Sequence, residues 1–271
     1  MNGWTNLGRL SAFTRRDLQV KLSYRTGLLG DVVGLVLQSV LFYFVGKLVA
    51  PDAVPAAGPN PYISFVAIGI AVGVVIQLGL LNVSAALQRE QVLGTLEAVM
   101  ATPTPQFIVQ VGGVGYDLIY LPLRTAVFLA FVAVVYQVPI DLGGVLPALA
   151  LLLALLPLMW GLGVAVAALV MTFKRGDGTL GILATLVTMA SGAYFPLDLL
   201  PDGLRQAAQA NPVAQAMSAI RGVLVMGDGW QTTLVPLVAV LASGAVTLAA
   251  GLSLFRWAVR RERRRGTMAI Y

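Results

Sequence analysis

The chain has 271 residues, 58% hydrophobic and 11% charged, with a net charge of +6 and a mean hydropathy of +0.84. Soluble globular domains carry about 25% charged residues, so this composition predicts a chain that dissolves in lipid. Cys and His are both absent, which removes thiol and imidazole catalysis and thiolate or imidazole metal sites.

Residues 4–25 come first. Trp4, Leu7, Leu18 and Leu22 fall on one side with Arg9 and Arg16 opposite, a moderate amphipathicity that fits a helix lying in the membrane interface. A helix crossing the hydrocarbon needs about 20 apolar residues. Six stretches qualify: 28–49, 62–86, 106–136, 145–173, 179–195 and 233–257. The first is too long for the h-region of a signal peptide, about 7–15 residues, and reads as a retained span. Pro and Gly clusters mark breaks at 50–61, at Val138-Pro139 and at Gly176-Asp177-Gly178.

Between the second and third spans runs the charged segment Gln88–Pro105. Val92, Leu93, Leu96, Val99 and Met100 share one helical face, and Glu90, Gly94, Glu97 and Ala101 the other. A helix this short, with one apolar and one acidic face, should lie flat at the membrane surface and offer its polar side to a partner.

Asp117 and Arg124 stand seven residues apart in the third span, so both project from one face. Intramembrane charges of this kind pair with each other or with neighbours lining a cavity. Asp31, near the inner end of the first span, reads as interfacial. Phe42, Tyr43, Tyr194 and Phe195 fall near the outer ends of spans one and five, where aromatic belts form, and are candidates to face a substrate. Trp160, Phe128 and Phe131 read as packing or lipid-facing. Gly161, Gly163, Ala165, Ala167 and Ala168 give span four a small-residue face suited to close helix packing.

Before the last span, Pro201 can open a short helix reaching Ala210. Asn211-Pro212 then reads as an N-cap followed by Pro at the first helical position. Val213, Met217, Ile220 and Leu224 form one stripe, and Gly227 can stop the helix. Neither helix is long enough to cross. They either dip into the outer leaflet as a re-entrant hairpin or lie on the bundle.

With both termini inside, 14 of the 18 Lys and Arg residues fall on cytoplasmic segments, as the positive-inside bias requires. The run RRERRR at 260–265 then meets anionic lipid headgroups, and nucleic acid is not an expected partner. Asn82-Val83-Ser84 matches a glycosylation sequon but falls at the inner end of span two and is set aside. No GxxxxGK[ST] motif occurs, so the chain holds no P-loop of its own.

These segments resemble the ABC-2 type permeases, membrane subunits of ABC exporters of drugs, lipids and lipid-linked polysaccharides. The specific parts are Glu90 with Gly94-Thr95-Leu96-Glu97 and Thr102-Pro103, then Ser191-Gly192, Phe195-Pro196, Leu200-Pro201, Asn211-Pro212 and Arg221. The resemblance covers nearly the whole chain.

It implies one all-α integral membrane domain over 1–271, with six transmembrane helices and both termini cytoplasmic, in the cell (inner) membrane. Residues 4–25 would be an interfacial helix and 88–102 a cytoplasmic coupling helix. The latter would dock on the ATPase through Glu90, Gly94, Glu97, Thr102 and Pro103. Residues 196–227 would be extracellular re-entrant helices. The chain itself would carry no metal, cofactor or catalytic residue; ATP and Mg would be bound by a cytoplasmic ABC ATPase. The other partners implied are a second permease, identical or homologous, and membrane lipids. The expected cargo is an amphiphilic drug-like molecule or lipid, with export of a lipid-linked polysaccharide or ion-coupled secondary transport as the alternatives. The pair Asp117 and Arg124 departs from the apolar third span expected in the family.

Overall fold

The computed structural model describes residues 25–48, 61–92, 116–173 and 179–265, together with Arg15, Gln19 and Ser23; the side chains of 25, 26, 28, 83–92, 170–173, 179, 180 and 262–265 are outside that description. Among the described residues there is no strand. In lipid every backbone N–H and C=O must find a partner within the protein, and an apolar helix satisfies that condition internally. The helices are α1 (Arg25–Gly46), α2 (Pro61–Val92), α3 (Asp117–Tyr136), α4 (Val145–Phe173), α5 (Thr179–Ala190), α6 (Asp202–Gln209), α7 (Pro212–Arg221) and α8 (Trp230–Arg265).

Five helices are long and apolar enough to cross a membrane, over Leu29–Gly46, Pro61–Asn82, Asp117–Tyr136, Leu142–Leu169 and Trp230–Arg261. Two of them form the core. The apolar windows of α2 and α4 are 83% and 67% buried, against 11%, 22% and 17% for α1, α3 and α8. A helix that is apolar all round belongs inside the bundle, whereas one that keeps an outward apolar face belongs against lipid or a partner. Val72, Val75, Ile76 and Leu80 of α2 pack into one cluster with Leu151, Leu155 and Met159 of α4.

The predicted fifth span, 179–195, is corrected. α5 has 12 residues and stops at Ala190, rising about 18 Å against the roughly 30 Å of hydrocarbon. Ser191-Gly192 breaks it, with Gly192 at φ 72°, a conformation that glycine adopts without penalty. The predicted third span is described from Asp117 onward, and 106–115 lie outside the described residues. Predicted span four coincides with α4, and α8 exceeds its predicted range at both ends.

α4 and α8 pack through glycines. A Cβ at Gly161 would lie 2.4 Å from the backbone N of Leu248, and one at Gly251 would lie 2.3 Å from the carbonyl oxygen of Gly161. The small-residue face read from span four is therefore a helix seam, and Trp160 is buried beside it.

The chain folds into a bundle with two distinct ends. Tyr43, Tyr62, Tyr136 and Tyr194 mark one, here the aromatic end; Arg256, Arg260 and Arg261 mark the other, here the basic end. α6 and α7 lie toward the aromatic end. Pro201 is the N-cap of α6 and not a residue of its first turn. Asn211 caps α7, its Oδ1 accepting from the N–H of Val213 at 3.0 Å, with Pro212 following at the first helical position. The stripe Val213, Met217, Ile220 and Leu224 is fully buried. A π-helical turn, Gly222–Met226, ends at Gly227 with φ 75°.

Candidate functional site

Breaking α5 inside an apolar bundle exposes carbonyl groups that water cannot reach, and the chain supplies their partners. The hydroxyl of Ser191 donates to the carbonyl of Thr188 at 2.6 Å. Beyond the break, Arg221 from the end of α7 reaches in. Its Nη2 donates to the carbonyls of Gly192 and Ala193 at 2.8 and 3.1 Å, and its Nε donates to the carbonyl of Phe65 in α2 at 3.2 Å. The guanidinium also lies 3.6 Å from the ring centroid of Phe65. The planar fork suits this arrangement, because its donors diverge to three acceptors that a point charge could not serve together. The negative pole at the C-terminus of α5 adds to the attraction.

Gly69 of α2 completes the joint. A Cβ there would fall 1.8 Å from the carbonyl oxygen of Ala193, so only glycine admits the turn this closely. Arg221, assigned by sequence to an external segment, is thus buried and joins α7, α2 and the end of α5.

The four aromatic candidates separate. Phe42 of α1 stacks on Tyr194, with centroids 5.1 Å apart and an interplanar angle of 8°. Tyr43 instead stacks on Tyr136 of α3 at 5.2 Å, under the Lys47 ammonium 4.9 Å from its centroid. Phe195 stands beside Tyr194 and is half-buried.

The two intramembrane charges also separate. The carboxylate that Arg124 meets is Asp31 of α1, at 3.4 Å, and its Nη2 donates to the Asp31 carbonyl at 2.9 Å. The hydroxyl of Tyr120 donates to the same carboxylate. Asp117 is buried in the first turn of α3, where the side-chain amide of Asn82 donates to it at 2.9 Å. Two polar nodes toward the basic end therefore tie α3 to α1 and to α2. Spacing placed both charges on one face of α3; which helices answered them depended on the packing.

Between α1, α2 and α5 lies an open cavity of about 80 Å³, lined by Gln38, Ile70, Gly73, Val74, Gln77, Ala184, Thr185, Thr188 and Tyr194. Gln77 is the one exposed residue in the whole Pro61–Asn82 window. Sequence reading missed Gln38 and Gln77. The available signal was a single glutamine near the middle of each of two apolar windows, Leu29–Gly46 and Pro61–Asn82. The residues expected to couple to an ATPase fall elsewhere: Glu90 is in the last turns of α2 with its side chain outside the description, and Gly94, Glu97, Thr102 and Pro103 lie outside the described residues, as does most of 4–25.

The family model of the ABC-2 type transporter matches residues 9–225. The chain belongs to the ABC-2 type transporter family. This ABC-2 protein is accordingly a multi-pass membrane permease of an ABC transporter, a transport subunit of a family that works with a cytoplasmic ABC ATPase and often dimerises. No curated protein matches the permease.

Proposed function

We propose that this permease is the membrane half of an ATP-driven exporter that moves an amphiphilic drug-like or lipid molecule along the face formed by α1, α2 and α5. The observation that carries the reading is Gln77. At mid-bilayer a polar side chain turned toward lipid is costly, so a glutamine as the sole exposed position of the buried Pro61–Asn82 window belongs to a watered path or a subunit contact. A second permease copy or homologue set against this face would enclose the cavity between them. Phe42 and Tyr194 would form its wall at the aromatic end.

In this reading the basic end is cytoplasmic, in the inner membrane, and α6 and α7 form an external re-entrant hairpin that closes the path. Ser191, Gly192 and the short α5 supply the sixth membrane element. Segment 88–102, continuing from α2, docks on the ATPase through Glu90, Gly94 and Glu97, with Thr102 and Pro103 ending it. ATP and Mg bind the ATPase, and movement there reaches the path directly because α2 carries both Glu90 and Gln77.

Replacing Glu90→Lys should abolish co-purification with the ATPase and ATP-dependent transport while leaving the permease in the membrane. Normal co-purification and transport by the reversed-charge protein would remove the docking assignment.

A further inference from the structure

The polar lining of the α1/α2/α5 cavity contains no Lys, Arg, Asp or Glu. Among the described residues, the intramembrane charges are engaged elsewhere: Arg124 with Asp31, Asp117 with Asn82, and Arg221 with three carbonyls. An anionic group entering the cavity would shed water with no cation to meet it, a heavy desolvation cost. A neutral group loses far less.

The hydrogen bonds already made within the lining decide what it leaves for a ligand. The hydroxyl of Thr185 donates to the carbonyl of Gly181 at 2.9 Å, and that of Thr188 to the carbonyl of Ala184 at 2.8 Å. Each threonine has spent its only donor inside α5 and retains oxygen lone pairs. The amide nitrogen of Gln38 donates to the hydroxyl of Tyr194 at 3.4 Å, which leaves its carbonyl oxygen to accept. Gln77 has no hydrogen-bond partner among the described residues and presents a carbonyl oxygen as well as an amide. The lining is therefore uncharged and mixed: the threonine and glutamine oxygens can accept, and the Gln77 amide, the second N–H of Gln38 and the Tyr194 hydroxyl can donate.

Resting on the proposed path, we infer that the substrate group crossing this level is uncharged and both donates and accepts hydrogen bonds, a hydroxyl-bearing headgroup, and not a phosphate. The transported amphiphile is then of the glycoside or polyol type, with its headgroup read by Gln77, Thr185, Thr188 and Gln38.

The test uses the full-length chain in phosphatidylcholine nanodiscs and two photoactivatable dodecyl probes, identical but for a glucoside or a phosphate headgroup. The glucoside probe should label peptides containing Ile70–Gln77 and Ala184–Tyr194 several-fold more than the phosphate probe. Gln77→Leu and Thr185→Val, both at exposed positions, should each lower glucoside labelling by about 2- to 10-fold, the range for one lost hydrogen bond. Equal labelling of these peptides by the phosphate probe, or glucoside labelling unchanged in both variants, would overturn the headgroup class and leave the path standing. Labelling of other helices by both probes would overturn the path, and the inference with it.

Discussion

At the scale of single residues, the buried charges find backbone partners as often as side-chain ones. Among the described residues no carboxylate pairs with Arg221; three carbonyls and the Phe65 ring stabilise it. Arg221→Ala orphans those carbonyls and should cost about 3 kcal/mol, using 1.5–3 for bonds to a charged group. That corresponds to a fall of roughly 6–12 °C in apparent Tm for a chain of this size, measured on the purified permease in detergent. Arg221→Lys should fall between the two proteins, since an ammonium reaches fewer of the diverging acceptors. A second asymmetry concerns Asp31 and Arg124, whose side chains are 38% and 9% exposed. Asp31→Ala strands a buried cation, whereas Arg124→Ala leaves a half-exposed carboxylate still bonded to Tyr120, so the first should lower Tm more. Arg221 was legible in part. Its number continues the Met217 and Leu224 stripe at i+4 and i−3, which assigns it to the buried face. Its acceptors were not legible, because carbonyls freed by a helix break leave no mark in residue type.

At the scale of elements, the apolar pattern located the long helices and misjudged the one that breaks. The pattern continues through Thr179–Phe195, but Ser191-Gly192 and Pro196 interrupt the backbone inside it, and apolarity alone carries no information about φ. The α4–α8 seam was half legible: small residues announced a close packing partner without naming α8. Gly161→Leu and Gly251→Leu should each prevent that approach, because their added atoms meet backbone that cannot move aside; both should lose the monodisperse size-exclusion peak. Gly181→Ala is the counterpart. Nothing lies within 4 Å of its added Cβ, so it should leave the peak intact and raise stability by about 0.5–1 kcal/mol through helix propensity.

At the scale of the whole molecule, composition and the spacing of apolar runs made the membrane class readable, and the motifs around Glu90 and Arg221 made the family readable. The location of the cavity was not, since it depends on which faces of α1, α2 and α5 meet, and polar side chains at mid-helix are ordinary until their neighbours are known. The central claim, that Gln77 and Thr185 line a watered path, has a direct test because the chain is free of cysteine. Gln77→Cys, Thr185→Cys and Val246→Cys, the last an exposed apolar position on α8, are each expressed with the ATPase partner in membrane vesicles. A cationic, membrane-impermeant methanethiosulfonate reagent then reports which thiols meet water, because reaction proceeds through the thiolate. The account predicts modification at 77 and 185 roughly tenfold or more faster than at 246, where a thiol in hydrocarbon stays protonated. Modification of Gln77→Cys as slow as that of Val246→Cys would contradict it.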